Sequence, residues 1–307
     1  RPLTAEYFSG NESWENGKWV YVALMHSHLP VEALDEGLLM SLDLRQYKVI
    51  YIAGDHLQRA VAEKLRGWVE QGGSLVTMGH GMSKDEAGRA LELLNPVFGV
   101  SDRADFDKWG GVGRYGAVSL GGIRSLKPAP TEALLAARTG ELTPFVPKIG
   151  REVLQPLPET QVMASYADGG AGITYHKFGL GGAWLFGQYS GLEYAAETMA
   201  RQPFRADKRA LLAMPALNAG VRPVVSLDEP LAEGILLRHP KTGKQTVIVI
   251  NWAHHTEHPV QVRMRPVSPV TTVKAVGLGQ SFPLSQDGEW CFFTLPRLDE
   301  GEILLLD

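Results

Sequence analysis

The chain has 307 residues, with 44% hydrophobic and 21% charged side chains. That length suits two domains or one large one, and that composition gives a full apolar core; it excludes a mainly disordered chain, a collagen-like chain and a membrane bundle. Acids outnumber bases by 34 to 30, a formal net charge of -4, which argues against a protein that lives on phosphate backbones. No apolar run reaches membrane-spanning length. A single cysteine, Cys291, excludes an internal disulfide framework. It leaves the compartment open, with cytoplasmic favoured over secreted. The sequence starts at Arg1 with no apolar leader, so we expect a piece of a longer chain. Asn11-Glu12-Ser13 matches the glycosylation pattern, which three residues do often by chance.

Leu3 to Phe8 reads as a short strand closed by the turn cluster Ser9-Gly10-Asn11. Asn11 or Ser13 caps a helix running to about His26, and Pro30-Val31 opens a second short strand. Lys48 to Ala53 (KVIYIA) is a continuous β-branched and aromatic run, the mark of a strand buried on both faces. In the segment that follows, Leu57, Val61, Leu65, Trp68 and Val69 share one helical face, and Gly72-Gly73 stops the helix. Ser74 to Met78 (SLVTM) is a further buried strand, and Asp85 to Leu94 a further helix. Strand, helix, strand, helix with short crossovers predicts a parallel sheet covered by helices on both faces, a flavodoxin-like fold.

Residues 101 to 160 break this pattern. Glycine and proline are dense there, and a long excursion packed on the sheet edge or at an interface is expected. Val162 to Tyr166, Ile173 to Phe178 and Ala183 to Phe186 resume as strands, the last two joined by the Gly179-Leu180-Gly181-Gly182 turn. Helices follow near Leu192 to Arg201 and Lys208 to Ala219. Beyond Arg222 the apolar period becomes two, in six short strands with no helix between them. They predict a small antiparallel β-sandwich. The expected domains are 1 to 220 and 221 to 307.

Parallel α/β sheets place their sites beyond the C-terminal ends of strands. Two such ends stand out, Gly54-Asp55-His56 and Gly79-His80-Gly81. The second is where amidotransferase-like folds carry a cysteine nucleophile on an elbow. Here the residue is His80, so thiol chemistry is absent. Asp55, His56, Gly79, His80 and Gly81 remain candidate ligand-binding residues, though the favoured reading of His80 is a turn filler between two glycines. His254-His255-Thr256-Glu257-His258 matches a zinc pattern that works only on a helix, and this one sits among strands before Pro259. His26 and His28 lack a third ligand. Gly111, Gly113 and Gly116 match the dinucleotide fingerprint without its strand and helix. Glu193 and the acids of the excursion have no readable separation for a glycosidase pair. No metal and no cofactor is expected.

The run YKVIYIAGDHLQRAVAEKLRGWVEQGGSLVTMGHGMSKDEAGR resembles the middle, trimerisation domain of family-42 glycoside hydrolases, the β-galactosidases. WVYVALMHSHLPVEALDE upstream and GITYHKFGLGGAWLFGQYSGLEYAA downstream are similar to the flanking parts of that domain. AGVRPVV and GILLRHPKTGKQTVIVINWAHH resemble the start of the small β-domain that follows it. The resemblance implies a class I glutamine-amidotransferase-like fold without the amidotransferase cysteine. Family members carry both catalytic glutamates on an N-terminal barrel, so no catalytic residue transfers to this chain. It implies a non-catalytic oligomerisation and accessory region, trimeric, with carbohydrate as its ligand. The aromatic side chains Phe106, Trp109 and Tyr115 are then the expected contact surface. The competing reading is a stand-alone amidotransferase-like enzyme or sugar-binding protein, using the pocket around Asp55, His56 and His80.

Overall fold

The computed structural model describes residues 11–112, 123–137, 142–199, 202–253, 256 and 258–307. The chain divides into two compact units. One takes in the residues up to Ala23 together with Glu32–Gly220, the other Leu24–Val31 and Val221–Asp307.

The first unit contains helices α1 (Asn11–His26, its last turn counted with the second unit), α2 (Glu36–Ser41), α3 (Arg59–Glu70), α4 (Asn95–Phe98), α5 (Ser190–Met199) and α6 (Ala206–Asn218). Its strands are β1 (Val49–Ile52), β2 (Ser74–Met78), β3 (Val100–Lys108), β4 (Gly110–Val112), β5 (Ile123–Ser125), β6 (Leu135–Ala137), β7 (Gly150–Pro156), β8 (Gln161–Tyr166), β9 (Ala171–Phe178) and β10 (Gly181–Phe186). The main sheet runs β1-β2-β10-β9-β7-β3, and β8 joins it through β9 and carries β6.

This sheet is mixed, not wholly parallel as the sequence predicts. β2 pairs parallel with β1 and with β10, while β10, β9, β8, β7 and β3 are joined antiparallel. The reason is local. Gly179 adopts φ +59 and turns β9 straight back into β10 without a crossover helix. On the parallel side the expected layering holds. Ile50 and Ile52 pack in one core with Val61, Leu65 and Val69 of α3. Tyr51, alternating to the other face, donates its hydroxyl to the Leu212 carbonyl of α6 at 2.9 Å.

Two local expectations change. Pro30-Val31 is not a strand; Pro30 lacks the N–H a ladder needs, and its neighbours Glu32 and Ala33 are exposed. Asp85 to Leu94 is not a helix apart from the 3₁₀ turn Glu92–Leu94. The buried Asp85 carboxylate accepts from the Ala87 and Arg89 amides at 3.0 and 2.9 Å, and Gly88 has φ +77, so a side-chain turn wins over the helix. In the stretch 101 to 160, β3 forms the edge of the main sheet with β7 beside it, and the described residues between them carry the short strands β4, β5 and β6. The predicted strand Leu3 to Phe8 lies outside the described residues.

The second unit holds strands β11 (Val225–Leu227), β12 (Ala232–Arg238), β13 (Gln245–Asn251), β14 (Val260–Met264), β15 (Thr272–Ala275), β16 (Gln280–Pro283), β17 (Ser285–Asp287), β18 (Trp290–Leu295) and β19 (Gly301–Leu306). They form two antiparallel sheets, β11-β14-β18-β17 and β12-β13-β19-β15-β16. Alternate residues such as Val247, Val249, Val260, Val262, Phe293 and Leu304 fill one shared core, the period-two pattern of a sandwich.

Candidate functional site

The loops that leave β1 and β2 lie side by side. Lys84 N–H donates to the Asp55 carbonyl, and Leu57 N–H donates to the Lys84 carbonyl, both at 2.9 Å. This brings Asp55, His56, Gly79, His80 and Gly81 to one end of the parallel strands. The Asp55 carboxylate and the His56 ring are 3.0 Å apart, with His56 buried.

Beyond Met78 the backbone makes a tight elbow. Gly79, His80 and Met82 have φ of +59, +66 and +55. Two non-glycine residues in the left-handed region mark a constrained turn. Its hydrogen bonds hold it. Gly79 N–H donates to the Phe186 carbonyl at 2.9 Å and Met82 N–H to the Gly54 carbonyl at 2.7 Å. A Cβ at Gly79 would enter the Tyr189 ring, and one at Gly81 would meet the Thr77 hydroxyl. The glycines on both sides of His80 are therefore a steric requirement.

The elbow does not present a nucleophile. Its tip is the half-buried His80 ring, 6.4 Å from Phe106, which in turn packs 5.1 Å from Tyr189. Burial lowers the His80 pKa, opposed by the Glu152 charge, so the ring is neutral at pH 7. The elbow amide is already taken. His80 N–H donates to Glu152 Oε2 at 3.2 Å. Arg103 grips the same carboxylate through Nε and Nη2 at 2.6 and 3.0 Å and donates Nη1 to the Gly81 carbonyl at 2.7 Å. A backbone donor that would steady an oxyanion in an acyl-transfer enzyme is here satisfied by a carboxylate of the same chain. Thr77, the hydroxyl nearest the elbow in β2, donates to the Ile52 carbonyl at 2.8 Å.

Glu152, Arg103, Phe106 and Tyr189 complete this site, and only Phe106 was singled out by sequence, as a contact residue. The signal available for Glu152 was an acid at an inward position of the run Gly150–Pro156, whose neighbours Arg151 and Leu154 are also buried. Trp109 is buried and donates its indole N–H to the Pro147 carbonyl at 2.7 Å, so it is a core side chain, not surface. Tyr115 lies outside the described residues.

The other motifs stay apart. Glu193 is buried on α5, 3.9 Å from Lys208 Nζ, and accepts from the Lys148 amide at 2.6 Å. Burial raises its pKa to about 7. His28 places Nε2 3.1 Å from the Ala232 carbonyl. His254, His255 and Glu257 lie outside the described residues. Among the described residues no group of three His, Cys, Asp or Glu side chains has the arrangement of a metal site. Gly111 sits in β4, while Gly113 and Gly116 lie outside the described residues. Among the described residues no helix is long and apolar enough to cross a membrane.

No family model matches the sequence, and no curated protein matches it. Solved structures do share its fold. A catalytic mutant of a GH42 beta-galactosidase from G. stearothermophilus aligns over 95% of this chain and 36% of its own, with TM-score 0.64 and 17% identity. A beta-galactosidase from Bacillus circulans sp. alkalophilus aligns over 96% of this chain and 37% of its own, with TM-score 0.63 and 17% identity. Alpha-L-fucosidase isoenzyme 2 from Paenibacillus thiaminolyticus aligns over 98% of this chain and 45% of its own, with TM-score 0.65 and 12% identity. At these identities the likeness is one of fold. The chain corresponds to a part of the GH42 beta-galactosidase chains, spanning little more than a third of their length.

Proposed function

We propose that this chain is a non-catalytic accessory and oligomerisation region of a β-galactosidase-like glycoside hydrolase, one that shapes or completes a carbohydrate site formed elsewhere. The observation that carries the reading is the closed elbow. Its tip holds a neutral histidine instead of a thiol or hydroxyl, and its amide is satisfied by Glu152. The fold shared with a third of the GH42 beta-galactosidase chains supports the same reading. The elbow after β2 and the helices on both faces of β1 and β2 support descent from an amidotransferase-like, flavodoxin-like domain whose chemistry has been lost.

The test has two arms. The isolated chain is assayed with nitrophenyl galactosides, and its mass is followed by sedimentation velocity across micromolar concentrations. The expected result is no turnover and a self-associated species, a trimer. Turnover that a His80→Ala substitution abolishes would favour the stand-alone enzyme instead. A monomer at every concentration would remove the assembly role.

A further inference from the structure

An antiparallel strand with one face in the core and one in water alternates apolar and polar side chains. In the second unit β14 follows that rule, with Gln261 and Arg263 between the buried Val260, Val262 and Met264. On the same outer face Arg263 and Arg265 lie over the Trp290 ring, at 5.4 and 4.2 Å. The other sheet breaks the rule. Its strands β12, β13 and β19 contain the runs ILL, VIVI and ILLL, apolar on both faces. Val247, Val249, Leu304 and Leu306 fill the core, and their alternates point away from it.

The register sets those alternates in rows. Ile235, Ile248 and Ile303 are direct neighbours across β12, β13 and β19. Val276 N–H donates to the Ile303 carbonyl at 2.9 Å and extends the row. Leu237, Thr246 and Leu305 form the next row, closed by Lys274 of β15. Glu233, Ile250 and Gly301 form the row on the other side. Ile235, Leu237, Val276, Ile303 and Leu305 are between 38% and 48% exposed. Trp252, also exposed, flanks them and donates its indole N–H to Glu233 at 3.4 Å. Together these six side chains leave on the order of 600 Å² of apolar surface, the upper end of what a lone protein shows in one patch.

Within these rows two side chains are charged, and they stand at opposite corners. Glu233 lies on the edge strand β12, and Lys274 three strands across on β15. Along the strands they are separated by the four residues from Gly301 to Leu305. Neither has an ion-pair partner among the described residues.

We propose that this face is an interface between two copies of the chain, related by a twofold axis. An axis in the contact plane, perpendicular to the line from Glu233 to Lys274, sets each copy's Glu233 against the other's Lys274. The corners are about 14 Å apart across the strands and about 13 Å along them, so the strands of the two copies cross near a right angle, a known way for sheets to pack. The two charges cancel, so the face favours neither an acidic nor a basic partner and is complementary to itself. Two copies bury together roughly 1,200 Å² or more, the lower bound of a stable interface. The contact does not rest on the accessory role above, and its symmetry differs from the trimer expected there. Twofold pairing gives a dimer, or joins two trimers into a hexamer.

The experiment is sedimentation velocity of the full chain between about 1 and 100 µM. An even-numbered species, dimer or hexamer, is expected at the upper concentration. Ile303→Lys, at an exposed position in the middle of the face, is expected to weaken this pairing at least about tenfold. Leu180→Lys, in an exposed turn of the first unit, is expected to leave it unchanged. Glu233→Lys and Lys274→Glu each set like charges together, and each is expected to weaken self-association by about tenfold. Mixed in equal amounts, these two variants are expected to pair with one another within about threefold of the parent. That recovery requires a second copy with Glu233 opposite Lys274, and it shows that both variants fold. A dimer supports the interface and removes the trimer. A trimer overturns the interface and leaves the trimer reading standing, and a monomer overturns both. An even-numbered species that Ile303→Lys does not weaken, or charge variants that pair no better mixed than alone, also overturns the proposal.

Discussion

Arg103 and Glu152 form a two-pronged ion pair, at 2.6 and 3.0 Å, with their side chains only 5% and 0% exposed. The pair joins neighbouring strands β3 and β7, and each partner also bonds the elbow backbone, at the Gly81 carbonyl and the His80 amide. Removing one partner strands the other charge in a dry site. Glu152→Ala is therefore expected to destabilise the first unit by about 3–5 kcal/mol, and Glu152→Gln by less, since the amide oxygen still accepts. Urea denaturation checks this. A loss below about 1 kcal/mol for the alanine variant would show that water reaches the pair.

The glycines make a differential prediction. A Cβ at Gly181 would run into the Gly73 and Val69 carbonyls, which belong to backbone and cannot rotate away. Gly288 has φ +59 with open space around it. Gly181→Ala is expected to cost more than about 3 kcal/mol, a clash with backbone, and Gly288→Ala about 1 kcal/mol, the left-handed penalty alone. Thermal melts of the two variants compare them directly. Equal losses would mean that the backbone around β10 relaxes freely.

These residues also show what the sequence could and could not reveal. β1, α3 and β2 were legible because each carries its own signal: continuous apolar runs for the strands and a clean stripe from Leu57 to Val69 for the helix. The sandwich strands were legible from period two, and β13, β14 and β18 keep that alternation in their burial. β3 was not, because VSDRADFDK carries five charges, and an edge strand that pairs its charges with a neighbour looks like a loop. The site was half legible. The chain-local parts, Gly79-His80-Gly81 and Asp55-His56, follow from strand ends. Glu152 was not legible, because its partner Arg103 lies 49 residues away and only the β3–β7 pairing makes them neighbours.

Glu193 gives a pH dependence with a definite sign. Burial lifts its pKa from 4.5 to about 7, against the pull of Lys208 and Lys148 and with Glu197 adding to the lift. Between those two values the folded state holds a proton that the unfolded state has lost. Stability therefore falls as pH rises from about 4.5 to about 7, by up to roughly 3 kcal/mol. Glu193→Gln keeps the acceptor for the Lys148 amide and removes the titration. It is expected to flatten that slope and to raise stability at pH 8, measured as urea midpoints across the range. An unchanged slope would place the titration on another group.

His80 contributes with the opposite sign in an overlapping window. Burial holds its pKa below the ordinary 6.5, so the unfolded chain takes up a proton there before the folded one does. This contribution is complete above 6.5 and is lost as pH falls through the lower folded value. His80→Asn keeps a residue that tolerates positive φ and removes the ring. The variant is expected to lose less stability on acidification than the parent, and the effect should survive in a Glu193→Gln background. Proton NMR of the imidazole gives the direct check. A His80 midpoint at or above 6.5 would contradict a buried neutral ring, and with it the picture of an elbow closed by Glu152 and the aromatic pair Phe106 and Tyr189.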